Sequence, residues 1–478
     1  MPQFDVTDQV SALTDSIIDT FRRLFNDTVM GDKVTSYIGD IAYSWELILI
    51  CTLTACVLAY IYLLLIQYVG AIIIWLTIIL LQVTLIASGL YVYSQHDQYE
   101  EGSDYRDWMK YGAYTIWGIA ALYFLCICCC WNAIRIGVAC YTTAADYISR
   151  NLRIYLVPVI TYLIAGLWLA VWLVSAIYVF SIGTPEPREN YEFITEIKWE
   201  GNTRNILWFQ LFMLFWINAF IMGMCQFIIA ASACIWYFEV NSDTEGKGSI
   251  SRGLWWGFRY HMGSIAFGAA VIAICQMIRA IFEYYKRKIL AANDNACVRF
   301  MLCYTSYLLW ALEKCIKFIT KNAYIQVALR NCWFCTGAWN AFALILKNAG
   351  RFGWLNSIGW ILNWFGVCFV SFLNAFGAYL VLTNLEMYET NVTQPIAPAI
   401  IVVLVSYVIV KSFLSIFSFS LDAILQCFLL DESMGFEGNC RPDGMSKFKS
   451  TLETRHSGKS VSEDRRESDS GPKANSVQ

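Results

Sequence analysis

Residues 152–182, LRIYLVPVITYLIAGLWLAVWLVSAIYVFSI, contain a single charged side chain, that of Arg153. An α-helix needs about 20 consecutive apolar residues to cross the hydrocarbon core of a bilayer, so this stretch is long enough. Further apolar runs of this kind recur along the chain, at about 46–68, 70–93, 111–134, 205–239, 262–284, 354–383 and 398–427. Gly70 predicts a tight break between the first two of them. A single signal peptide or anchor would give one such run. The sequence therefore predicts an all-α, polytopic bundle of transmembrane helices.

The overall composition indicates the same class. Of the 478 residues, 58% are hydrophobic and 15% are charged, whereas a soluble domain carries about 25% charged residues. The net charge is −3 and there is no basic domain, so nucleic acid is not an expected partner. The sequence has no P-loop, HExxH or GxSxG motif, which indicates that the chain is not an enzyme.

The 18 cysteines could suggest a disulfide scaffold or a metal site, but most lie within or beside apolar runs. There a cysteine usually behaves as a small hydrophobic residue. Cys332 and Cys335 have CxxC spacing, yet no second CxxC or histidine pair accompanies them to complete a zinc site. We therefore expect neither a metal nor a cofactor.

Three regions differ from the plain apolar runs. Residues 1–40 are polar and are predicted to form an extracellular N-terminal segment, followed by a transmembrane domain over 41–430. Within that domain, 296–350 is apolar but punctuated by charges, which predicts two helices, one crossing and one lying at the interface. Residues 431–478 form a charged, Ser-rich tail that is predicted to be cytoplasmic and largely disordered.

Loop charges predict the orientation of the helices. The loops 94–110, 183–204 and 384–397 are acid-rich, whereas 135–153 and the tail carry more Lys and Arg, which places the latter in the cytoplasm. The sequons at Asn26 and Asn391 both lie on the side predicted to be outside and are candidate glycosylation sites. An outside N-terminus and an inside C-terminus require an odd number of crossings, so one helix of 296–350 is expected to make a ninth. The basic cluster 286–288 then falls outside, which means that this helix either is re-entrant or breaks the charge rule locally.

Aromatic residues are the richest functional signal, with 19 Trp, 28 Tyr and 30 Phe. A quaternary ammonium ion forms no ordinary hydrogen bond, and proteins hold it by cation–π contacts worth about 0.5–2 kcal/mol each. Taken singly, each deep tryptophan is better explained by lipid contact or helix packing, but together they would suffice for an aromatic cage. The candidate substrate-binding residues are Trp75, Trp117, Trp168, Trp172, Trp208 and Trp216, and Trp360 and Trp364 lie at similar depth.

Ionisable residues inside apolar runs are the second signal, because each is costly in lipid unless it faces protein or water. Asp422 lies a turn or two from the inner end of the last run and is a candidate for balancing the charge of a cation or gating its exit. Glu313 also lies in an apolar helix, but its neighbours Lys314 and Lys317 make an interfacial salt bridge at least as good an explanation.

Several blocks of sequence also form a recognisable series, which consists of Arg259-Tyr-His261-Met-Gly263-Ser-Ile-Ala-Phe-Gly268, Leu312-Glu313-Lys314-Cys-Ile-Lys317, Asn322-Ala-Tyr324-Ile, Phe334-Cys335-Thr336, Asn340-Ala-Phe342 and, in the last run, Asp422, Cys427-Phe428 and Asp431. In this order, over about 40–450, the chain resembles the choline transporter-like proteins, solute carrier family 44. The resemblance places Glu313, Asn322, Tyr324 and Asn340 in the family signature, with a gating or structural role.

The resemblance implies a ten-span carrier of choline, or in some members ethanolamine, that works without sodium and supplies phospholipid synthesis. Its substrate would be a quaternary or primary ammonium ion, its surroundings membrane lipids, and its location the plasma membrane or an organelle membrane. The family's first span precedes the region matched here, so about nine spans are expected in this chain. The alternative is a non-transporting membrane scaffold or lipid-handling protein, in which the deep aromatics would face lipid. The oligomeric state is left open.

Overall fold

The computed structural model describes residues 43–95, 104–188, 191–198, 203–242, 249–292, 295–385 and 394–434, with the isolated positions 37, 39–41, 388, 442 and 445. Helices make up most of this part of the chain. They are α1 (Trp45–Gln95), α2 (Asp104–Cys129), α3 (Trp131–Arg150), α4 (Leu156–Phe180, preceded by a 3-10 turn at Leu152–Tyr155), α5 (Thr203–Glu239), α6 (Ser249–Arg259), α7 (Met262–Ala292), α8 (Ala296–Arg330), α9 (Phe334–Lys347), α10 (Ala349–Asn384) and α11 (Ile396–Ser433).

Eight helical segments in the described residues are long and apolar enough to cross a membrane. They are Trp45–Ile66, Tyr68–Gln95, Tyr105–Cys129, Leu152–Phe180, Asn205–Glu239, Met262–Ala291, Ala349–Asn384 and Ile396–Ser433. Each overlaps one of the predicted apolar runs, which confirms the all-α, polytopic membrane bundle. The acid-rich loop at 183–204 contains a small antiparallel hairpin of β1 (Thr184–Arg188) and β2 (Tyr191–Lys198), which the sequence did not predict.

Helix α1 is continuous where two helices were expected. Its 51 residues run through Gly70, so the predicted tight break at that glycine is wrong. One glycine in a helix costs only about 1 kcal/mol relative to alanine, and the apolar residues on both sides favour continuation. At 1.5 Å per residue the helix extends about 76 Å, which is long enough for its two apolar halves to have different packing partners.

The chain divides into two compact units, residues 1–131 with 353–418 and residues 132–352 with 419–478. In the first unit, the amide of Asn374 on α10 ties three helices together. Its Nδ2 donates to the carbonyl oxygen of Cys51 on α1 at 2.8 Å and to the Ser406 hydroxyl on α11 at 2.7 Å. Its Oδ1 accepts from the Thr54 hydroxyl at 2.6 Å. The first half of α1 is thereby fixed to α10 and α11.

In the second unit, α7 and α8 form an antiparallel pair. Ser306 near the start of α8 donates to Glu283 near the end of α7, whereas Tyr324 late in α8 donates to the Ile265 carbonyl oxygen early in α7 at 3.1 Å. Helix α8 ends at Asn331, whose φ of 51° is the left-handed conformation common just after a helix. Helix α9 follows and packs Phe334 into the core between α5, α7 and α8. Helices α8 and α9 confirm that 296–350 forms two helices.

Candidate functional site

A buried ion pair joins α8 and α11 in the second unit. The Lys321 ammonium lies 2.6 Å from a carboxylate oxygen of Asp422, a residue that is only 4% exposed. The same ammonium lies over the Phe419 ring, 5.2 Å from its centroid. Because α11 continues to Ser433, Asp422 lies about three turns from the end of its helix. The sequence had placed it only a turn or two from the inner end of the apolar run. Lys321 is therefore the counter-ion of Asp422, the carboxylate that was predicted to balance the charge of a cation.

A chain of side-chain amides lies one turn further toward the C-terminal ends of the same helices. Gln426 on α11 donates to the Asn322 side-chain oxygen at 2.8 Å and accepts from Gln326 at 2.7 Å. All three are at most 1% exposed, so water does not replace these contacts, and Asn322 also donates to the Phe318 carbonyl oxygen at 2.9 Å. Lys321 pairs with Asp422 and, further along both helices, Gln326 pairs with Gln426, so α8 and α11 run parallel here. The sequence analysis missed both glutamines, although buried polar residues four positions apart on two helices were the available signal.

The other signature residues of α8 and α9 have structural contacts. Tyr324 is fully buried and packs on Phe334 with ring centroids 6.0 Å apart, while its hydroxyl binds the backbone of α7. Asn340 is half-buried on α9. A gating role for either residue stays a prediction.

Glu313 lies in a salt-bridge cluster between α7 and α8. Its carboxylate oxygens lie 2.7 Å from Arg279 and 2.6 Å from Lys317, and Gln276 donates to it at 3.4 Å. Two cations neutralise this single carboxylate. The contacts agree with the salt-bridge explanation given for Glu313.

The predicted tryptophans of the second unit lie half-buried between helices. The indole nitrogen of Trp172 on α4 donates to the Gln210 carbonyl oxygen at 2.9 Å, and that of Trp216 on α5 donates to the Ala266 carbonyl oxygen at 3.0 Å. Trp208 meets the Tyr284 ring edge-on at 5.6 Å. Trp168 is half-buried on α4. The indoles of Trp172 and Trp216 therefore connect neighbouring helices by hydrogen bonds. A role of these tryptophans in holding substrate remains a prediction.

The remaining candidates lie in the first unit or outside the described residues. Trp75 in the second half of α1 packs on Trp131, the first residue of α3, with centroids 4.7 Å apart, and Trp117 on α2 packs on Tyr93 of α1 at 5.7 Å. Trp360 and Trp364 are 69% and 62% exposed on α10, as expected of lipid-facing residues. The candidate glycosylation sites Asn26 and Asn391 lie outside the described residues.

A cavity of about 620 Å³ opens where α5, α6, α8 and α11 end. Its walls include the aromatic side chains of Phe238, Trp256 and Tyr260, together with Glu239 and His261. The volume falls in the range of small-molecule sites, about 300–1,000 Å³. Sequence reasoning missed it because its walls come from four segments far apart in the chain.

Two ionisable side chains of this wall, Glu239 and His261, have defined surroundings. Both oxygens of Glu239 bind the guanidinium of Arg252, at 2.6 and 2.7 Å, and these hydrogen bonds raise the pKa of Arg252. His261 is 8% exposed and packs on Phe227 at 5.1 Å. Burial lowers the pKa of His261 below its ordinary value of 6.5, so that the imidazole is neutral at pH 7.

Comparison with known proteins gives one consistent family. The profile of the family described as plasma-membrane choline transporter matches residues 114–433. The chain is 26% identical to choline transporter-like protein 2 of Dictyostelium discoideum, over 93% of this chain and 72% of that protein. It is 25% identical to choline transporter-like protein 4 of Xenopus laevis, over 92% and 69% of the two chains. Against choline transporter-like protein 1 of Xenopus laevis it is 26% identical, over 82% of this chain and 61% of the relative.

The matched region begins in α2 and ends at the last residue of α11, so it contains the ion pair, the amide chain and all of the cavity wall except Met434. The eight apolar helical segments make the chain a multi-pass membrane protein. The match covers about two thirds of the sequence and agrees in order with the resemblance seen in its motifs. This chain belongs to the choline transporter-like family.

Proposed function

We propose that this protein carries choline, or a related small organic cation such as ethanolamine, across a membrane and so supplies phospholipid synthesis. The observation that carries the proposal is the Lys321–Asp422 pair, at 2.6 Å and within the last apolar helix. A carboxylate at that depth is costly without a counter-ion. Family membership supports the class of substrate, and the relatives named as transporters support a carrier rather than an enzyme.

The chemistry of the pair indicates how a cation could use it. In the absence of substrate, Lys321 neutralises Asp422 and joins α8 to α11. A substrate ammonium that reaches the carboxylate can replace Lys321 as its counter-ion, so that the contact between the helices is exchanged for a contact with the cargo. The primary ammonium of ethanolamine can also donate hydrogen bonds to the carboxylate, whereas the quaternary ammonium of choline interacts through charge and nearby aromatic faces such as Phe419.

The membrane potential would drive such uptake without a coupling ion. A monovalent cation gains about 2.3 kcal/mol on moving inward across 100 mV, which corresponds to roughly fifty-fold accumulation. We place the protein in the plasma membrane with its C-terminus in the cytoplasm and with Asn26 and Asn391 glycosylated, on the strength of the loop charges and sequons. Loss of a glycan on each Asn→Gln variant, and protease access to a C-terminal tag only after permeabilisation, would support this orientation.

The antiparallel pairing of α7 and α8 supports α8 as a further crossing. Helix α7 contains a candidate span, and α8 contacts it from Ser306 to Tyr324, over about 27 Å of helix. The parallel pairing of α8 with α11 fits the same arrangement.

The test is uptake of labelled choline by cells depleted of their own carriers and expressing this chain. We expect saturable uptake that unlabelled choline competes and that Asp422→Asn reduces at least tenfold. Asp146→Asn is the matched control, because Asp146 is 32% exposed and paired with the 59% exposed Arg150, whereas the Asp422 side chain is only 6% exposed. Absence of uptake with the protein verified at the surface would overturn the choline assignment and leave a scaffold or lipid-handling role. Equal uptake by both variants would remove Asp422 from the path.

A further inference from the structure

The cavity at the ends of α5, α6, α8 and α11 lies a short distance along the helices from the Lys321–Asp422 ion pair. From Lys321 to Ala328 in its wall is seven residues of α8, and from Asp422 to Leu430 is eight residues of α11. At 1.5 Å per residue both separations are about 10–12 Å. The amide chain of Asn322, Gln326 and Gln426 lies between the two levels. A cation that moves from Asp422 toward the helix C-termini would therefore meet this cavity next.

The backbone makes the cavity attractive to cations. The last carbonyl groups of an α-helix have no intrahelical partner, and a helix C-terminus carries roughly half a negative charge. The wall residues Phe238, Leu329 and Leu430 lie in the final turn of α5, α8 and α11 respectively, and Trp256 lies in the final turn of α6. The C-terminal turns of four helices thus border one space, and two of these turns also carry an arginine, Arg259 on α6 and Arg330 on α8.

The side chains add aromatic faces without adding a fixed positive charge. Phe238, Trp256 and Tyr260 each present a ring of the kind that holds ammonium ions. Glu239 is the ionised wall residue in the described part of the chain, and its pairing with Arg252 makes that local pair neutral overall. His261 is neutral at pH 7 because burial lowers its pKa.

We infer that this cavity is a second cation site, in which the organic ammonium is held between the Asp422 level and the cytoplasm. The inference rests on the proposed function for its choice of substrate. The cavity is expected to bind quaternary and primary ammonium ions and not to bind anions. Aromatic rings and carbonyl dipoles supply the binding, so tetramethylammonium, which cannot donate a hydrogen bond, is a sufficient ligand.

The test uses equilibrium binding of labelled choline and tetramethylammonium to the purified full-length protein, measured alongside uptake. Tyr260 is 66% exposed, so replacing it should leave the fold intact. We expect Tyr260→Leu to weaken binding about three- to thirty-fold by removing one cation–π contact, and Tyr260→Phe to restore it. Trp255→Leu is the matched control, since Trp255 is the next-door exposed aromatic of α6 and lies outside the cavity wall.

A charge test gives an independent readout. Ala328→Lys places an ammonium in the cavity wall and should abolish binding of both cations, whereas Ala328→Gln, of similar size, should bind at least ten-fold more tightly than Ala328→Lys. Equal binding by Tyr260→Leu and the parent, or by the Lys and Gln variants, would overturn the second site. If uptake persisted in that case, the proposed carrier function would still stand. Conversely, cavity-dependent binding without any uptake would sustain the cation site and refute the carrier.

Discussion

The Lys321–Asp422 pair allows a quantitative prediction through a double-mutant cycle. Asp422→Asn would leave the Lys321 ammonium in a largely buried position with no carboxylate opposite it, and Lys321→Met would leave the carboxylate of Asp422 without its cation. The variant that carries both substitutions removes both charges and keeps the side-chain volumes similar. The cycle therefore separates the interaction between the two groups from the cost of each substitution.

The magnitude follows from burial. Removing one partner of a buried ion pair costs about 3–5 kcal/mol. The Lys321 side chain is 30% exposed and can recover some hydration, so each single substitution should cost about 3 kcal/mol, near the lower end of that range. The double variant has no unpaired charge and should cost about 1 kcal/mol. The interaction free energy is then about 5 kcal/mol, which lies within the range measured for close charge pairs.

The free energy of unfolding can be measured in mixed micelles by titration with sodium dodecyl sulfate, with helicity as the signal. The pair of Arg150 and Asp146 is the control, because its side chains are 59% and 32% exposed and should interact by no more than about 0.5 kcal/mol. An interaction free energy below about 1 kcal/mol for Lys321 and Asp422 would show that the two charges are not coupled. The proposal that a substrate ammonium replaces Lys321 as the counter-ion of Asp422 would then lose its basis.

Three further predictions concern stability. Gly268→Ala should lower the free energy of unfolding by about 1–3 kcal/mol, because its new methyl group would overlap Phe334 and Tyr324. Gly263→Ala has open space around it and should be neutral or stabilising. Thermal unfolding that ranks the two variants the other way would contradict this packing. Gln426→Leu should cost about 1–3 kcal/mol by leaving buried amides unpaired, and an unchanged melting temperature would mean that water or another group replaces Gln426. Folding lowers the pKa of His261, so as the pH falls the unfolded chain binds a proton before the folded protein does, and stability declines below about pH 6.5. His261→Gln should therefore lose less stability than the parent between pH 7.5 and 5.5, about the range over which histidine titrates. Parallel pH profiles of the two proteins would show that His261 does not cause the decline.

Much of the bundle could be predicted from hydropathy alone, because a span depends on local composition. Each of the eight candidate spans corresponds to an apolar run. The failure at Gly70 has a physical cause, since glycine weakens a helix without ending it when its neighbours are strong apolar residues. Helix α8 is absent from the candidate spans because its charged residues lower its hydropathy, and two of them, Glu313 and Lys321, are compensated by partners on other helices.

The candidate site was only partly accessible from the sequence. Asp422 stood out because a carboxylate in an apolar run is rare, yet its partner lies 101 residues away and could not be identified from spacing. The tryptophans were selected by depth, and the contacts of Trp172 and Trp216 depend on which backbone carbonyl faces each indole, which is a property of helix packing. The cavity depends on four helices ending at one level, which is likewise set by tertiary structure.

The long separation of Lys321 from Asp422 also bears on how the chain is made. As a crossing helix, α8 emerges from the ribosome with charges that each cost about 2.5–3.5 kcal/mol at the centre of a bilayer. Arg279 on the preceding helix can neutralise Glu313 at once, but the 101 residues up to Asp422 need about 5–20 seconds of further synthesis. During that interval α8 depends on its hairpin with α7. A nascent chain arrested before α11 would keep an uncompensated ammonium at the membrane, where cellular quality control can recognise it.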